Sequence, residues 1–148
     1  MRLKPSVLIT GASSGIGAAY ADRFAKRGHD LVLVARNRNR MDALAERLRR
    51  EAGVSIDVLE ADLTESGQLA QVEERLRDDA RIGILVNNAA DGLPGGFVDQ
   101  SGDDVARIIS LNATALTRLS NAVAPRFVAA GDGFPVAPCY PLACSLSA

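Results

Sequence analysis

Short, continuous runs of apolar residues alternate along this chain with longer segments in which apolar residues recur every three or four positions. The continuous runs lie at residues 6–10, 30–35, 54–61 and 82–86. Apolar runs without polar alternation are typical of strands that are covered on both faces, as in a parallel sheet. The pattern therefore predicts four parallel strands.

The segments between these runs carry the apolar spacing of amphipathic helices. The stripe residues of the second and third segments are Met41, Leu44, Ala45, Leu48, Leu69, Val72 and Leu76. Two more helices are predicted over residues 103–111 and 112–130. The order β-α-β-α-β-α-β-α-α predicts an α/β fold with right-handed crossovers. We expect a Rossmann-like, doubly wound parallel sheet in three layers, α/β/α, with strand order 3-2-1-4.

Composition and charge narrow the function classes. The chain has 148 residues, of which 47% are hydrophobic and 24% charged, and its net charge is −1. The near-neutral charge argues against nucleic acid or an anionic membrane as the main partner, and the apolar content argues against disorder. No apolar run approaches the roughly 18 residues of a membrane span, and no secretory signal is readable at the start. We expect a soluble, cytoplasmic protein.

A glycine-rich turn joins the first predicted strand to the first helix, where residues 10–17 read T-G-A-S-S-G-I-G. Unpaired backbone N–H groups and the positive end of the helix dipole form an anion site at such a helix start, and glycines let a phosphate approach closely. The spacing is G-x-x-x-G-x-G, which differs from the G-x-G-x-x-G of the usual dinucleotide fingerprint. The alternative interpretation is a tight turn without a ligand.

Three further motifs follow in order. Asp62-Leu63 comes after the third strand, the segment N-N-A-A at residues 87–90 comes after the fourth, and Asn112 lies in a later helix. Together with the glycine turn, these motifs resemble the short-chain dehydrogenase/reductase family, classical type, from residue 4 to about residue 133. Taken singly, Asp62 and Asn88 fit turn caps and Asn112 fits a helix N-cap, so the resemblance depends on the combination.

The resemblance implies an oxidoreductase that transfers a hydride between a nicotinamide dinucleotide and a carbonyl or alcohol carbon. It implies that Asp62 contacts the adenine and that Asn112 is catalytic, holding a water in the proton relay. The residues expected to bind the cofactor are Thr10, Gly11, Ser13, Ser14, Gly15, Ile16, Gly17, Arg36, Asp62, Leu63, Asn88 and Ala89. Ala90 stands where the family motif has glycine.

The end of the second strand affects the choice between NAD and NADP. An acidic side chain there binds the ribose 2′-hydroxyl, whereas an arginine accommodates a 2′-phosphate. This chain has Ala35 at the position of the family's acidic residue, followed by Arg36. We therefore predict NADP(H), with NAD as the second choice, although Ser14 replaces the basic residue that many NADP-dependent relatives carry. In the alternative interpretation, Arg36, Arg38 and Arg40 only begin a solvated helix.

The family's catalytic tyrosine and lysine, four residues apart on one helix, have no counterpart in this sequence. Its tyrosines are Tyr20, in the first helix, and Tyr140, which is followed four residues later by Cys144. No lysine follows Lys26. We therefore expect the cofactor-binding portion of an oxidoreductase, inactive alone. The alternatives are a catalytically inactive dinucleotide-binding module and a non-functional, truncated or frameshifted gene product.

Residues 133–148 differ in composition from the rest of the chain. They contain no charged residue, three of the six prolines, and both cysteines, whose spacing fits neither a redox pair nor a zinc site. Two prolines argue against a central strand over residues 133–138. We predict a dinucleotide-binding region over residues 1–132 and an irregular tail over residues 133–148, caused by a frameshift or truncation near Gly133. No metal site is predicted, and the exposed edge of the fourth strand predicts self-association.

Overall fold

The computed structural model describes residues 4–131 and the backbone of residues 134–136. Within these residues the strands are β1 (Ser6–Thr10), β2 (Leu31–Ala35), β3 (Ile56–Glu60), β4 (Ile82–Val86) and β5 (Phe134–Val136). The α-helices are α1 (Gly15–Lys26), α2 (Arg38–Ala52), α3 (Ser66–Asp78), α4 (Gly102–Ile109) and α5 (Leu116–Ala130). A 3₁₀ turn, Phe97–Asp99, precedes α4, and a π-helical segment, Ser110–Ala115, joins α4 to α5.

The strands form one parallel sheet in the order β3-β2-β1-β4-β5. Ile9 in β1 pairs with Leu33 of β2 on one side and with Val86 of β4 on the other. This order confirms the predicted Rossmann-like α/β fold and the strand order 3-2-1-4. The chain runs outward from β1 to β3 and then crosses back to β4, so the loops after β1 and β4 diverge at the carboxyl edge of the sheet. Open α/β sheets bind their ligands at such a point.

Two apolar clusters, one on each face of the sheet, produce the three layers. Successive side chains of β1 point to opposite faces. Leu8 packs with apolar residues of α3 and α5, whereas Val7 and Ile9 pack with apolar residues of α1 and α2. The helical stripe residues that are buried in these clusters are Met41, Ala45, Leu48, Leu69, Val72 and Leu76. Both faces of the sheet are therefore covered, and the carboxyl edge is left for a site.

The strand β5 corrects two predictions. Residues 134–136 run parallel to β4, with Val136 opposite Val86, where an irregular tail is predicted. The prolines argue only against a central strand, and β5 is the edge of the described sheet. An edge strand tolerates proline, since one row of its N–H groups needs no partner in the sheet. Within the described sheet, β5 therefore occupies the edge of β4 that was predicted to be exposed.

The rest of the predicted tail lies outside the described residues. This applies to residues 137–148, which include Cys139, Tyr140 and Cys144. The predicted boundary between a dinucleotide-binding region and an irregular tail accordingly stays a prediction for those residues.

The helical stretch after β4 also differs from its prediction. The sequence predicts two helices that meet at residues 111 and 112, but the backbone stays helical from α4 through the π-helical segment into α5. Asn112 lies inside the π-helical segment, so the alternative interpretation of Asn112 as an N-cap is wrong. Single π-helical turns inside longer helices occur frequently at functional sites.

In the part of the chain that the structure describes, every helix is too short or too polar to cross a bilayer. The same residues contain no group of three or more His, Cys, Asp or Glu side chains that could hold a metal ion.

Candidate functional site

A cleft of about 1030 Å³ opens at the carboxyl edge of the sheet, among the loops that follow β1, β2, β3 and β4. Nine of the twelve predicted cofactor-binding residues line it: Gly11, Ser13, Ser14, Ile16, Arg36, Asp62, Leu63, Asn88 and Ala89. Thr10, Gly15 and Gly17 belong to the same glycine turn without lining the cleft. The topology therefore brings the separate sequence motifs to one place.

Thr10 and Asn88 join the loop after β1 to the loop after β4. The Thr10 hydroxyl oxygen accepts hydrogen bonds from the backbone N–H groups of Asn88 and Ala89, each at 3.0 Å. The same hydroxyl donates to the carbonyl oxygen of Val86 at 3.4 Å. The Asn88 side-chain amide donates to the carbonyl oxygens of Thr10 and Gly11, both at 3.2 Å. These bonds hold the two loops, and hence the floor of the cleft, in one relative position.

Two glycines let α1 begin directly against the strands. A Cβ atom on Gly17 would lie 2.1 Å from the carbonyl oxygen of Gly11, and a Cβ atom on Gly11 would lie 2.8 Å from the Cα of Ala89. Gly11 also has a φ of 65°, in the left-handed region that favours glycine. Close packing of the turn thus explains both glycines, and it places the first turn of α1 at the cleft.

The N-terminus of α1 suits an anion. The first backbone N–H groups of a helix have no partner within the helix. Ser14, the N-cap residue, makes no side-chain capping hydrogen bond, and the first turn of α1 contains no acidic residue. The N–H groups and the positive end of the helix dipole therefore favour a phosphate group beside Ser14 and Ile16, which both line the cleft.

Opposite charges line two parts of the cleft. Arg36, Arg38 and Arg40 line the part at the junction of β2 and α2, whereas Glu60 and Asp62 line the part after β3. Glu60, Arg38 and Arg40 belong to no motif in the sequence and were not predicted in the site. The arrangement suits a ligand that is anionic at one end and offers hydrogen-bond donors at the other.

Asp62 is held as a carboxylate by its neighbours. Its Oδ1 accepts hydrogen bonds from the Thr64 N–H at 2.9 Å and from the Thr64 hydroxyl at 2.7 Å. Burial raises the pKa of Asp62, but these hydrogen bonds and the positive fields of Arg36 and Arg107 outweigh it and lower the pKa below its usual value. Oδ2 receives no hydrogen bond from residues 4–131, so it can accept one from a ligand.

Asn112 anchors the loop after β4 through the backbone of Asp91. Its Oδ1 accepts a hydrogen bond from the Asp91 N–H at 3.2 Å, and its Nδ2 donates to the Asp91 carbonyl oxygen at 2.9 Å. Arg107 in α4 donates to the Asp91 carboxylate at 3.4 Å. The Asn112 side chain positions this loop and does not line the cleft. Its role in a proton relay stays a prediction.

Asp91 does not line the cleft, but it anchors the loop after β4, part of which does, and the sequence did not predict this role. It follows the N-N-A-A segment directly, but neither hydrophobic periodicity nor a motif marks it. Its importance depends on three contacts made by residues 16 and 21 positions away in the chain. Contacts of this kind become visible only once the loop and the helix are placed together.

Comparison with known proteins decides the family. A family model described as short chain dehydrogenase matches residues 5–136. The chain belongs to this family. The match extends to the last residue of β5, so the family pattern includes the strand that the prolines argued against.

Solved structures of similar proteins have the same fold. A bulky-bulky ketone specific alcohol dehydrogenase from Comamonas testosteroni is 57% identical, with a TM-score of 0.90 over 92% of this chain and 55% of that chain. A short-chain dehydrogenase from Sphingobium yanoikuyae, solved in complex with NADPH, is 65% identical, with a TM-score of 0.88 over 90% of this chain and 52% of that chain.

Curated relatives are less similar and much longer. The 17-beta-hydroxysteroid dehydrogenase type 3 of Homo sapiens is 34% identical over 78% of this chain and 38% of its own length. The chain thus spans about half the length of the two solved structures and less than two fifths of this curated relative.

Proposed function

We propose that this chain binds NADP(H) in the cleft, as the cofactor-binding portion of a short-chain oxidoreductase. The arginines after β2 support this proposal most directly, because they line the cleft next to Ala35, the position at which family members that use NAD carry an acidic residue. The dehydrogenase from Sphingobium yanoikuyae, which is 65% identical, was solved with NADPH. The residues at the cleft therefore fit a dinucleotide that carries an extra phosphate.

Each part of the cleft would hold a different part of the dinucleotide. The backbone N–H groups at the start of α1 would hold the pyrophosphate. The free Oδ2 of Asp62 would accept a hydrogen bond from the adenine amino group, and the Arg36 guanidinium would pair with the 2′-phosphate. Ala35 supports this assignment, since it presents no carboxylate that would repel the phosphate. When bound, the cofactor would supply hydride transfer to or from a carbonyl or alcohol carbon.

We propose that this chain binds the cofactor but does not by itself reduce a carbonyl compound. The proton transfer of the family reaction needs a tyrosine whose pKa is lowered by a nearby lysine. Tyr20 does not fit this role, because it lies on α1 with its ring stacked on Phe24, the ring centroids being 6.3 Å apart. Lys26 is the last lysine of the sequence. NADPH-dependent carbonyl reduction by this chain alone would contradict the proposal.

The substitution Arg36→Asp tests the cofactor assignment. It should weaken NADPH binding at least about tenfold, because it removes a phosphate partner and adds a repelling carboxylate. NADH binding should stay unchanged or become tighter, since an acidic residue suits the 2′-hydroxyl. Fluorescence titration of both nucleotides measures these effects, and Arg23→Asp, which alters an exposed residue of α1, is the matched control. An unchanged affinity for NADPH in Arg36→Asp would show that the assignment is wrong.

A frameshift or truncation in the last part of the sequence remains a proposal. The strand and the family match both continue to residue 136, which supports a change of sequence character after that residue rather than near Gly133. Translation of the downstream nucleotide sequence in the other two frames tests this idea. A continuation with the family's Tyr-x-x-x-Lys pattern in another frame would support it, and its absence would contradict it. Self-association, now through the edge of β5, and a cytoplasmic location also stay predictions.

A further inference from the structure

The three arginines at the start of α2 have different surroundings. Arg38 is followed four residues later by Asp42, and its Nε lies 3.4 Å from the Asp42 Oδ2. Arg40 has Ala43 and Leu44 at the equivalent helical positions, so its own helix offers it no carboxylate. The arrangement gives Arg38 a local partner and leaves Arg40 without one.

Arg36, Arg38 and Arg40 all line the same part of the cleft, and of the three only the Arg38 guanidinium is paired with a carboxylate of residues 4–131. The backbone N–H of Arg40 donates a hydrogen bond to the Asn37 Oδ1 at 3.0 Å, which caps α2 and holds its first turn against the residue that follows Arg36. Within residues 4–131, neither the Arg36 nor the Arg40 guanidinium forms a hydrogen bond or an ion pair. Two cationic side chains that have no hydrogen-bond or ion-pair partner among residues 4–131 thus border one end of the cleft.

This end of α2 is electrostatically unfavourable without an anion. The first turn of α2 contains no acidic residue, although acidic residues are the ones that stabilise the positive end of a helix dipole. Arg36 and Arg40 add positive charge at that end. A charge arrangement that lowers local stability is typical of a ligand-binding position.

We infer that Arg40 is a second specificity-determining residue, which binds the 2′-phosphate of the dinucleotide together with Arg36. This inference rests on the proposed binding of NADP(H). A phosphate monoester carries nearly two negative charges at neutral pH and can accept hydrogen bonds from both guanidinium groups. Ser14, on the α1 side of the cleft, contributes no charge, so the second cation has to come from α2. Arg38, which is paired with Asp42, does not take part.

Substitutions of single arginines by glutamine test this inference. The dissociation constants of NADPH, NADH, 2′,5′-ADP and 5′-AMP are measured by calorimetric titration for the wild type and for Arg40→Gln, Arg36→Gln and Arg38→Gln. All three residues are exposed, and circular dichroism checks that each variant is folded. Arg38→Gln is the matched control, because it removes the same charge from the same helical turn.

Arg40→Gln should weaken NADPH and 2′,5′-ADP about tenfold, the effect of losing one charge-assisted hydrogen bond, and change NADH and 5′-AMP less than about twofold. Arg38→Gln should change none of the four dissociation constants more than about twofold. Equal losses of NADPH affinity in Arg40→Gln and Arg38→Gln, or no loss in Arg40→Gln, would overturn the inference. Either result leaves the binding of NADP(H) by the wild type unaffected. Failure of the wild type to bind NADPH would instead overturn the proposed function, and this inference with it.

Discussion

Both polar atoms of the Asn112 side-chain amide form hydrogen bonds with the backbone of Asp91. Loss of this side chain therefore acts first on the position of the loop after β4. Thr10 and Asn88 act in the same way on the loops after β1 and β4. At the scale of single residues, polar side chains hold the backbone of the loops in place, and a smaller number of charged side chains face the cleft. In the proposed complex the charged groups would give specificity, and the loops would hold them in position.

The substitution Asn112→Ala should release the backbone of Asp91. We expect the Asp91 amide to exchange its hydrogen at least about tenfold faster, because removal of the two hydrogen bonds raises the free energy of the closed state by about 1.4 kcal/mol or more. NADPH should bind more weakly, since the loop borders the cleft. Hydrogen exchange measured by NMR provides the readout, and Asn121→Ala, at an exposed position of α5, serves as the control. Unchanged exchange at Asp91 would mean that other contacts hold the loop.

Nine of the twenty residues that line the cleft could be predicted from the sequence, because they lie in or beside short motifs next to strand ends. Asp62 and Asn88 follow apolar runs directly, and strand ends of a parallel sheet meet at one edge. Arg40 and Asp91 could not be predicted in this way. The clamp on Asp91 involves the packing of a helix against a loop, which periodicity does not report. The pairing of Arg38 with Asp42 is local to α2, but the position of Arg40 at the cleft depends on where α2 begins relative to the sheet.

Among the secondary-structure elements, the connection from α3 to β4 is stabilised by Asp79. Its carboxylate accepts hydrogen bonds from Arg81 Nε at 2.9 Å and Arg81 Nη2 at 2.8 Å, and from Arg75 Nε at 3.0 Å. The hydrogen bond from the Arg81 side chain lowers the pKa of Asp79 from 3.8 to about 2, against the opposing effect of burial. The charged carboxylate therefore stabilises the folded chain at neutral pH.

The substitution Asp79→Asn should lower the free energy of unfolding by about 1–2 kcal/mol at pH 7. Because the pKa is lower in the folded state, this contribution is present in full above about pH 5 and falls as the pH drops through the range from 3.8 to 2. About half of it should remain at pH 3. Urea unfolding at several pH values measures the difference, and Asp78→Asn, on the exposed side of α3, should show none. A difference that does not change with pH would contradict the electrostatic explanation.

The sequence predicts the central elements better than those at the periphery. The bounds of β1 and β4 agree with the continuous apolar runs, because both strands are covered on both faces. Only Ile56 of β3 is fully buried, since β3 is an edge strand, and the run that predicts it is longer than the strand. β5 and the π-helical segment were missed for different reasons. Proline excludes a central strand but not an edge strand, and a π-helical turn leaves no break in hydrophobicity.

For the molecule as a whole, the order of strands determines where a ligand binds. The strand order reverses between β1 and β4. The loops after β1, β2 and β3 line the cleft on one side of this point, and the loop after β4 lines it on the other. A dinucleotide in this cleft would bridge both parts of the sheet and would bind the folded chain but not the unfolded chain. By mass action, NADPH at about one hundred times its dissociation constant should raise the free energy of unfolding by about 2.7 kcal/mol.

Calorimetric titration of the chain with NADPH and NADH tests the central claim, the binding of NADP(H) in this cleft, most directly. We predict one binding site per chain and an affinity for NADPH at least about tenfold higher than for NADH, because the arginines after β2 interact only with the 2′-phosphate. Thermal unfolding in the presence of each nucleotide should follow the same order of affinities. No binding of either nucleotide, or equal affinity for both, would contradict the account.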